Sequence, residues 1–243
     1  MTSPHGAVPD HDHEHEHHRS VQSGAFRAGV FGMSDGLVSN AALILGVAGA
    51  DASADVVRAA GVAGLVAGAC SMAAGEWLSM RAQRELLQRE LAIERRAIRE
   101  HPRAEQHELQ ALYEGRGIPA AAARDAAEAV MADEDLALEV HAREEIGIDP
   151  GELGNPVAAA VSSFIAFALG AFLPLIPWLV SSGTAAIIAS LVIAACAATA
   201  LGLLVAHLSH NRYLQSALRH LFVAAGATLA TYGIGSLFDV TAS

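Results

Sequence analysis

The sequence predicts an all-α membrane protein: five transmembrane helices, with an acidic helical domain inserted between spans 2 and 3. Three observations carry that prediction. From Pro156 to Ala206 there is no Asp, Glu, Lys or Arg. Such a run is too long and too uniformly apolar for a globular helix, and it accommodates two bilayer crossings of about 20 residues each. From Val56 to Glu108 an apolar pattern, GVAGLVAGACSMAAGEWLSM, passes without a break signal into a charged one, RAQRELLQRELAIERRAIRE. At about 1.5 Å of rise per residue the first half crosses a bilayer of about 30 Å, and the second projects beyond it. Residues 81–155 then hold ten Arg against seventeen Asp and Glu, an acidic excess of seven.

Composition narrows the partners. The 243 residues are 53% hydrophobic and carry a net charge of −11, which argues against nucleic acid and suits a cation. Cys70 and Cys196 both fall in apolar spans, so they make neither a disulfide framework nor a Cys-rich metal site. All fifteen basic residues are Arg. With the abundant Ala this is the codon signature of a GC-rich bacterial genome, and it points to the bacterial plasma membrane. The first apolar stretch is a full span rather than a short h-region, so no signal peptide is expected.

Taken in order, residues 1–24 include HDHEHEHHRS and read as a disordered His-rich tail. Its alternating imidazoles and carboxylates suit weak divalent-metal binding or plain solvation. Residues 25–80 hold spans 1 and 2. Span 1, Val30 to Ala50, carries Asp35 near its start, flanked by Gly32 and Gly36 for close helix approach, with Ser39 and Asn40 adding polar atoms. A carboxylate at that depth costs a few kcal/mol and marks either a cation or proton site or a helix cap at the interface. Span 2, Val56 to Met80, places Met72 and Glu76 one turn apart, a soft thioether beside a hard carboxylate.

Residues 81–155 read as the inserted domain. The helix from span 2 runs to Glu100, and His101-Pro102 stops it and starts the next, PRAEQHELQALYE. A third helix follows Pro119, and Asp133 caps a fourth, EDLALEVHAREEI, which ends at Gly147. Residues 156–243 hold spans 3 to 5: Pro156 to Val180, Thr184 to His207 and Leu218 to Phe238. Arg19, Arg27, Arg81, Arg84, Arg89, Arg212 and Arg219 flank one side of the bundle and Arg58 the other. The positive-inside rule then puts the N-terminus and the insert in the cytoplasm.

Within the insert Glu90 and Glu94 share one helix face, as do Glu105 and Glu108 on the next helix and His141 and Glu145 on the last. Carboxylates from three helices brought together need a cation, because otherwise they repel or take up protons. Carboxylates with one imidazole suit Fe²⁺ or Mn²⁺ and admit Co²⁺ or Zn²⁺. The same spacing also describes solvated acidic faces laced with Arg.

DGLVSNAALILGVAGA in span 1, GACSMAAGEW in span 2, and the stretches IERRAIREHPRAEQHEL and HAREEIGIDP together resemble the vacuolar iron transporter family. The resemblance covers nearly all the chain after residue 25. It implies five spans, a homodimer, a cytosolic helical metal-binding domain after span 2, and proton-coupled export of Fe²⁺ from the cytosol. Asp35 and Met72 match the family's transport-path residues, and Glu94, Glu105, Glu108 and Glu145 match glutamates of its metal-binding domain. The chain departs from the family at Ala97, where a further glutamate is common and for which Glu90 or Glu100 is the nearest substitute. It departs also at His141, a methionine in plant members, at Gly64, an acidic residue there, and at Asn40, near a proline. The expected activity is a divalent-metal transporter rather than an enzyme, with Asp35, Met72 and Glu76 touching the ion in the membrane. The competing expectation is a membrane-anchored iron-binding sensor or ferroxidase. Against a ferroxidase, the Glu-x-x-His pairs of di-iron carboxylate sites are missing among these ligands.

Overall fold

The computed structural model describes residues 24–147 and 149–238, so the His-rich tail falls outside the described residues apart from Gly24. The elements are α1 Gly24–Gly49, α2 Ala54–Glu100, α3 Pro102–Gly115, α4 Ala120–Met131, α5 Glu134–His141, α6 Pro156–Phe172, α7 Ile176–Val180, α8 Gly183–Leu208 and α9 Tyr213–Leu237. Among the described residues five helical stretches are long and apolar enough to cross a membrane: α1, α2, α6 with α7, α8 and α9. The missing break signal in the second long pattern has its counterpart in α2, one helix of 47 residues.

Four boundaries differ from the sequence reading. The helix of the first span begins six residues early, at Gly24 rather than Val30. The third span is not one smooth helix: a 3₁₀ turn, Leu173–Leu175, separates α6 from α7, because Pro174 and Pro177 have no N–H for the ladder. The last span begins five residues early, at Tyr213, since the polar run YLQSALRH winds as the first turns of α9. The fourth helix of the insert also divides. α5 ends at His141, a π turn covers Ala142–Ile146, and Gly147 closes it at φ 71°, a left-handed conformation suited to glycine.

α1 lies at the centre, against α2, α6, α8 and α9. Its inner face is small: a Cβ at Gly36 would run into the carbonyl of Phe167, and one at Gly170 into the carbonyl of Met33. α1 and α6 therefore meet backbone to backbone, the close packing that drives helix association where lipid offers no hydrophobic gain. Leu37 and Ala41 pack on Ala194, Ala198 and Leu201 of α8, and Ile44 packs on Val57, Leu175 and Trp178.

Outside the spans, α3, α4 and α5 fold back beside the charged half of α2. Ile98 of α2 is buried with Ala137 and Leu138 of α5. The Asp133 carboxylate accepts from the Asp135 and Leu136 N–H groups at 2.9 and 3.1 Å and fixes the start of α5. Arg95 pairs with Asp135 at 3.0 Å and Arg99 with Glu134 at 2.6 Å. These pairs are exposed and set register more than stability.

Candidate metal centre and membrane cavity

The insert brings four of its predicted residues together. The break at His101-Pro102 turns α3 back along α2, so Glu105 faces Glu94, and α5 delivers His141 between them. His141 is fully buried. Its Nδ1 lies 2.8 Å from a carboxylate oxygen of Glu145, 3.3 Å from Glu94 and 3.9 Å from Glu105. Glu145 reaches that position from the π turn that follows α5.

Donor atoms of Glu94, Glu105 and His141 lie within 4.8 Å of one another. Carboxylate and imidazole ligands stand about 2.0–2.2 Å from an ion, so atoms around one ion are at most about 4.4 Å apart. A small contraction thus suffices. One imidazole N–H on Nδ1 serves only one of three carboxylates, whereas a cation serves all. The Glu94 Oε1 and His141 Nε2 are buried without a hydrogen-bond partner. Burial, then the neighbouring Glu145 charge, raises the Glu94 carboxyl above its ordinary range. Burial, then Glu108, does the same to Glu105.

The remaining predicted residues are spread around this group. Glu108 is exposed and acts on Glu94 and Glu105 through its charge. Glu90 is half-buried on α2, one turn before Glu94, and is not among the converging donors. Glu100 lines a groove with Arg95, Arg96 and Arg99.

In the spans a cavity of about 330 Å³ lies between α1, α2 and α6. Asp35 and Asn40 line it from α1, Gly64, Gly68 and Met72 from α2, and Phe167 from α6. Asp35 is exposed, and the Ser39 hydroxyl donates to its backbone carbonyl at 2.6 Å. Glu76 stands one turn beyond Met72 and is not among the lining residues; its Oε2 is buried without a partner. A Cβ at Gly68 would meet the Phe167 ring, so the missing side chain there lets that ring close one wall. Asn40 and Phe167 line the cavity without having been singled out as site residues from sequence. Asn40 was legible only as a polar residue in an apolar span, and Phe167 carried no signal.

A family model described as the VIT family matches residues 26–236. The chain belongs to the VIT family. Vacuolar iron transporter 1 of Arabidopsis thaliana is 30% identical over 204 residues, which is 84% of this chain and 82% of that protein. Vacuolar iron transporter homolog 1 of Oryza sativa subsp. japonica is 34% identical over 225 residues, 88% of this chain and 74% of the relative. The vacuolar iron transporter of Acanthamoeba castellanii is 37% identical over 154 residues, 63% of this chain and 55% of the relative. The VIT family match spans both groups of donors, from Asp35 in α1 to Glu145 after α5.

Proposed function

We propose that this protein moves Fe²⁺ across a membrane in exchange for protons, capturing it at the Glu94–Glu105–His141–Glu145 group and passing it through the α1–α2 cavity. The observation that carries the reading is a pair of donor groups on one helix. Four buried or half-buried donors converge off the membrane, and Asp35 and Met72 line a cavity within the apolar stretch of the same α2. An anchor has no use for a carboxylate there. The named function of the VIT family relatives agrees.

In this mechanism the insert is a cytosolic metal-binding domain. Arg27, Arg81, Arg84, Arg212 and Arg219 sit at its end of the bundle. Arg58 sits at the opposite end, where it donates to the Trp178 carbonyl at 2.5 Å. The domain raises the local Fe²⁺ concentration, and Mn²⁺ fits the same donors. The ion then enters the cavity at Asp35 and Met72. An inward-moving proton neutralises Asp35 and releases the ion, since a protonated carboxylate binds metal poorly. Two copies facing each other along α2 supply two of each ligand about one axis. The membrane is the bacterial plasma membrane and the direction is out of the cytosol.

The test is Fe²⁺ flux in proteoliposomes holding purified protein, with a pH dye on the opposite side. Metal movement coupled to counter-movement of protons, and lost in Asp35→Ala, is the expected result. A folded, oriented wild type that binds Fe²⁺ but carries none overturns the transport reading.

A further inference from the structure

We infer that the side-chain oxygen of Asn40 is a neutral metal ligand in the α1–α2 cavity, the next station for an ion leaving Asp35 and Met72. This rests on the transport reading above.

Asn40 is 2% exposed, in the middle of an apolar helix. Its Nδ2 donates to the Ala171 carbonyl at 2.7 Å. Ala171 sits at the end of α6, just before Pro174, which has no N–H to offer. The bond also fixes which way the amide points. Reversing it would set two acceptors, Oδ1 and the Ala171 carbonyl, against each other. Oδ1 is therefore held away from α6. It is buried, and no hydrogen-bond donor reaches it. A buried amide oxygen left so is costly, and a cation or a hydrated ion is what relieves it.

What faces that oxygen is a glycine. A Cβ at Gly64 would stand 2.8 Å from Oδ1, and Gly64 lines the same cavity. With no side chain at Gly64, only the backbone of α2 stands between the buried oxygen and the cavity. Asn40 is five residues beyond Asp35, about 7.5 Å further along α1. Asp35 and Met72 stand on the side nearer the insert, and Asn40 with Gly64 on the side nearer the α1–α2 connection.

The chemistry separates the two stations. Asp35 holds an ion by charge and lets go when protonated. An amide oxygen is a hard donor with no charge and no proton to exchange, so it receives the ion without trapping it. Conduction needs such a site, favourable enough to enter and weak enough to leave.

The experiment is Fe²⁺ flux in proteoliposomes for wild type, Asn40→Leu, Asn40→Asp and Gly64→Ala, with KM and kcat separated. Asn40→Leu is expected to lower kcat about tenfold, the size of one lost contact to a charged group, with KM within about twofold. Asn40→Asp restores an oxygen, so it keeps more flux than Asn40→Leu, with a new pH dependence because the carboxylate releases the ion only when protonated. Gly64→Ala sets a methyl against Oδ1 and against the end of the Leu43 side chain, and lowers kcat severalfold. If Asn40 only anchors α1 to α6, the order reverses: Asn40→Asp sets a carboxylate against the Ala171 carbonyl and is the worst variant, below Asn40→Leu. That reversed order overturns the inference. Should Asn40→Leu or Asn40→Asp fail to fold, Gly64→Ala is compared with Ser71→Val, which narrows the same cavity at another lining residue: a kcat for Gly64→Ala no lower than that of Ser71→Val overturns the inference. A wild type that carries no Fe²⁺ sinks the transport reading itself, whereas a wild type that carries Fe²⁺ with the reversed order sinks only the role of Asn40.

Discussion

Two groups of donors sit on two halves of one helix, and they are built on opposite plans. Met72 in the membrane half of α2 and Glu94 in the charged half are 22 residues apart, or about 33 Å. Around Glu94 there are three further donors, Glu105, His141 and Glu145, and burial, then the charge of neighbouring carboxylates, raises the pKa of Glu94 and of Glu105. Around Met72 the lining has one carboxylate, one amide, two serine hydroxyls and two glycines. Dense charge can be assembled where Arg pairs and water surround it. Within the spans each charge is expensive, so the cavity uses a single charge and leaves room by deleting side chains. On the proposed function, the first plan suits capture and the second passage.

The contrast is broken most directly at Asp35. Asp35→Asn is expected to cut Fe²⁺ flux roughly a hundredfold or more, on the scale of losing one charged contact to the ion. Fe²⁺ binding by the insert, followed by equilibrium dialysis, stays at wild-type strength. Equal loss at both places would mean the two groups are not separate. His141→Ala is the reciprocal case. It is expected to weaken Fe²⁺ binding at the insert about tenfold to a hundredfold. It raises the KM for flux while kcat at saturating Fe²⁺ holds, and a fall in kcat instead would place the insert in the rate-limiting step.

Packing differs between the regions as well. Gly170→Ala drives a methyl into the Met33 carbonyl. It should destabilise the protein by about 1–3 kcal/mol, read as a lower thermal unfolding midpoint. Gly226→Ala, where nothing lies within 4 Å, is the control and should be close to neutral.

The smallest expected effect is a pH dependence of the insert alone. Glu94 and Glu105 have pKa values raised above the ordinary 4.5. Between 4.5 and those raised values the folded state binds more protons than the unfolded state. Metal-free stability from these groups therefore increases as pH falls from neutrality through that window, and is lost as pH rises. With Fe²⁺ bound the sign reverses, because protons compete with the ion. The check is the difference in unfolding midpoint between wild type and a Glu94→Gln, Glu105→Gln double variant, from pH 7 to about 5. A difference with the same slope with and without Fe²⁺ would show that these carboxylates do not hold the metal.

Local rules made much of this legible in the sequence. The charge-free stretch from Pro156 to Ala206, the Pro102 restart and the Asp133 cap each depend on neighbours in the chain, and each appears where the pattern puts it. The pairing of His141 with Glu145 was likewise local, at i, i+4. What stayed hidden depends on distant partners. The buried, unpartnered oxygen of Asn40 is defined by Ala171, 131 residues away. Glu90 shares a helical face with Glu94 by spacing, yet only the approach of α3 and α5 decides which carboxylates converge. Glu100, weighed as a substitute ligand near Ala97, lines a groove with Arg95, Arg96 and Arg99. The π turn after α5 is a shift of hydrogen-bond register that no residue in AREEI announces.

The unbroken run of α2 has a mechanical consequence. Gly61, Gly64, Gly68 and Gly75 all fall in its membrane half, and from Glu76 to Glu100 there is neither glycine nor proline. Helices give way at such residues and stay stiff without them. The outer half is thus a rod and the inner half its compliant end. On the proposed function, a movement of the charged half at Glu94 would be passed along this stiff stretch to the glycine-bearing part of the helix, where Gly64 and Gly68 line the cavity.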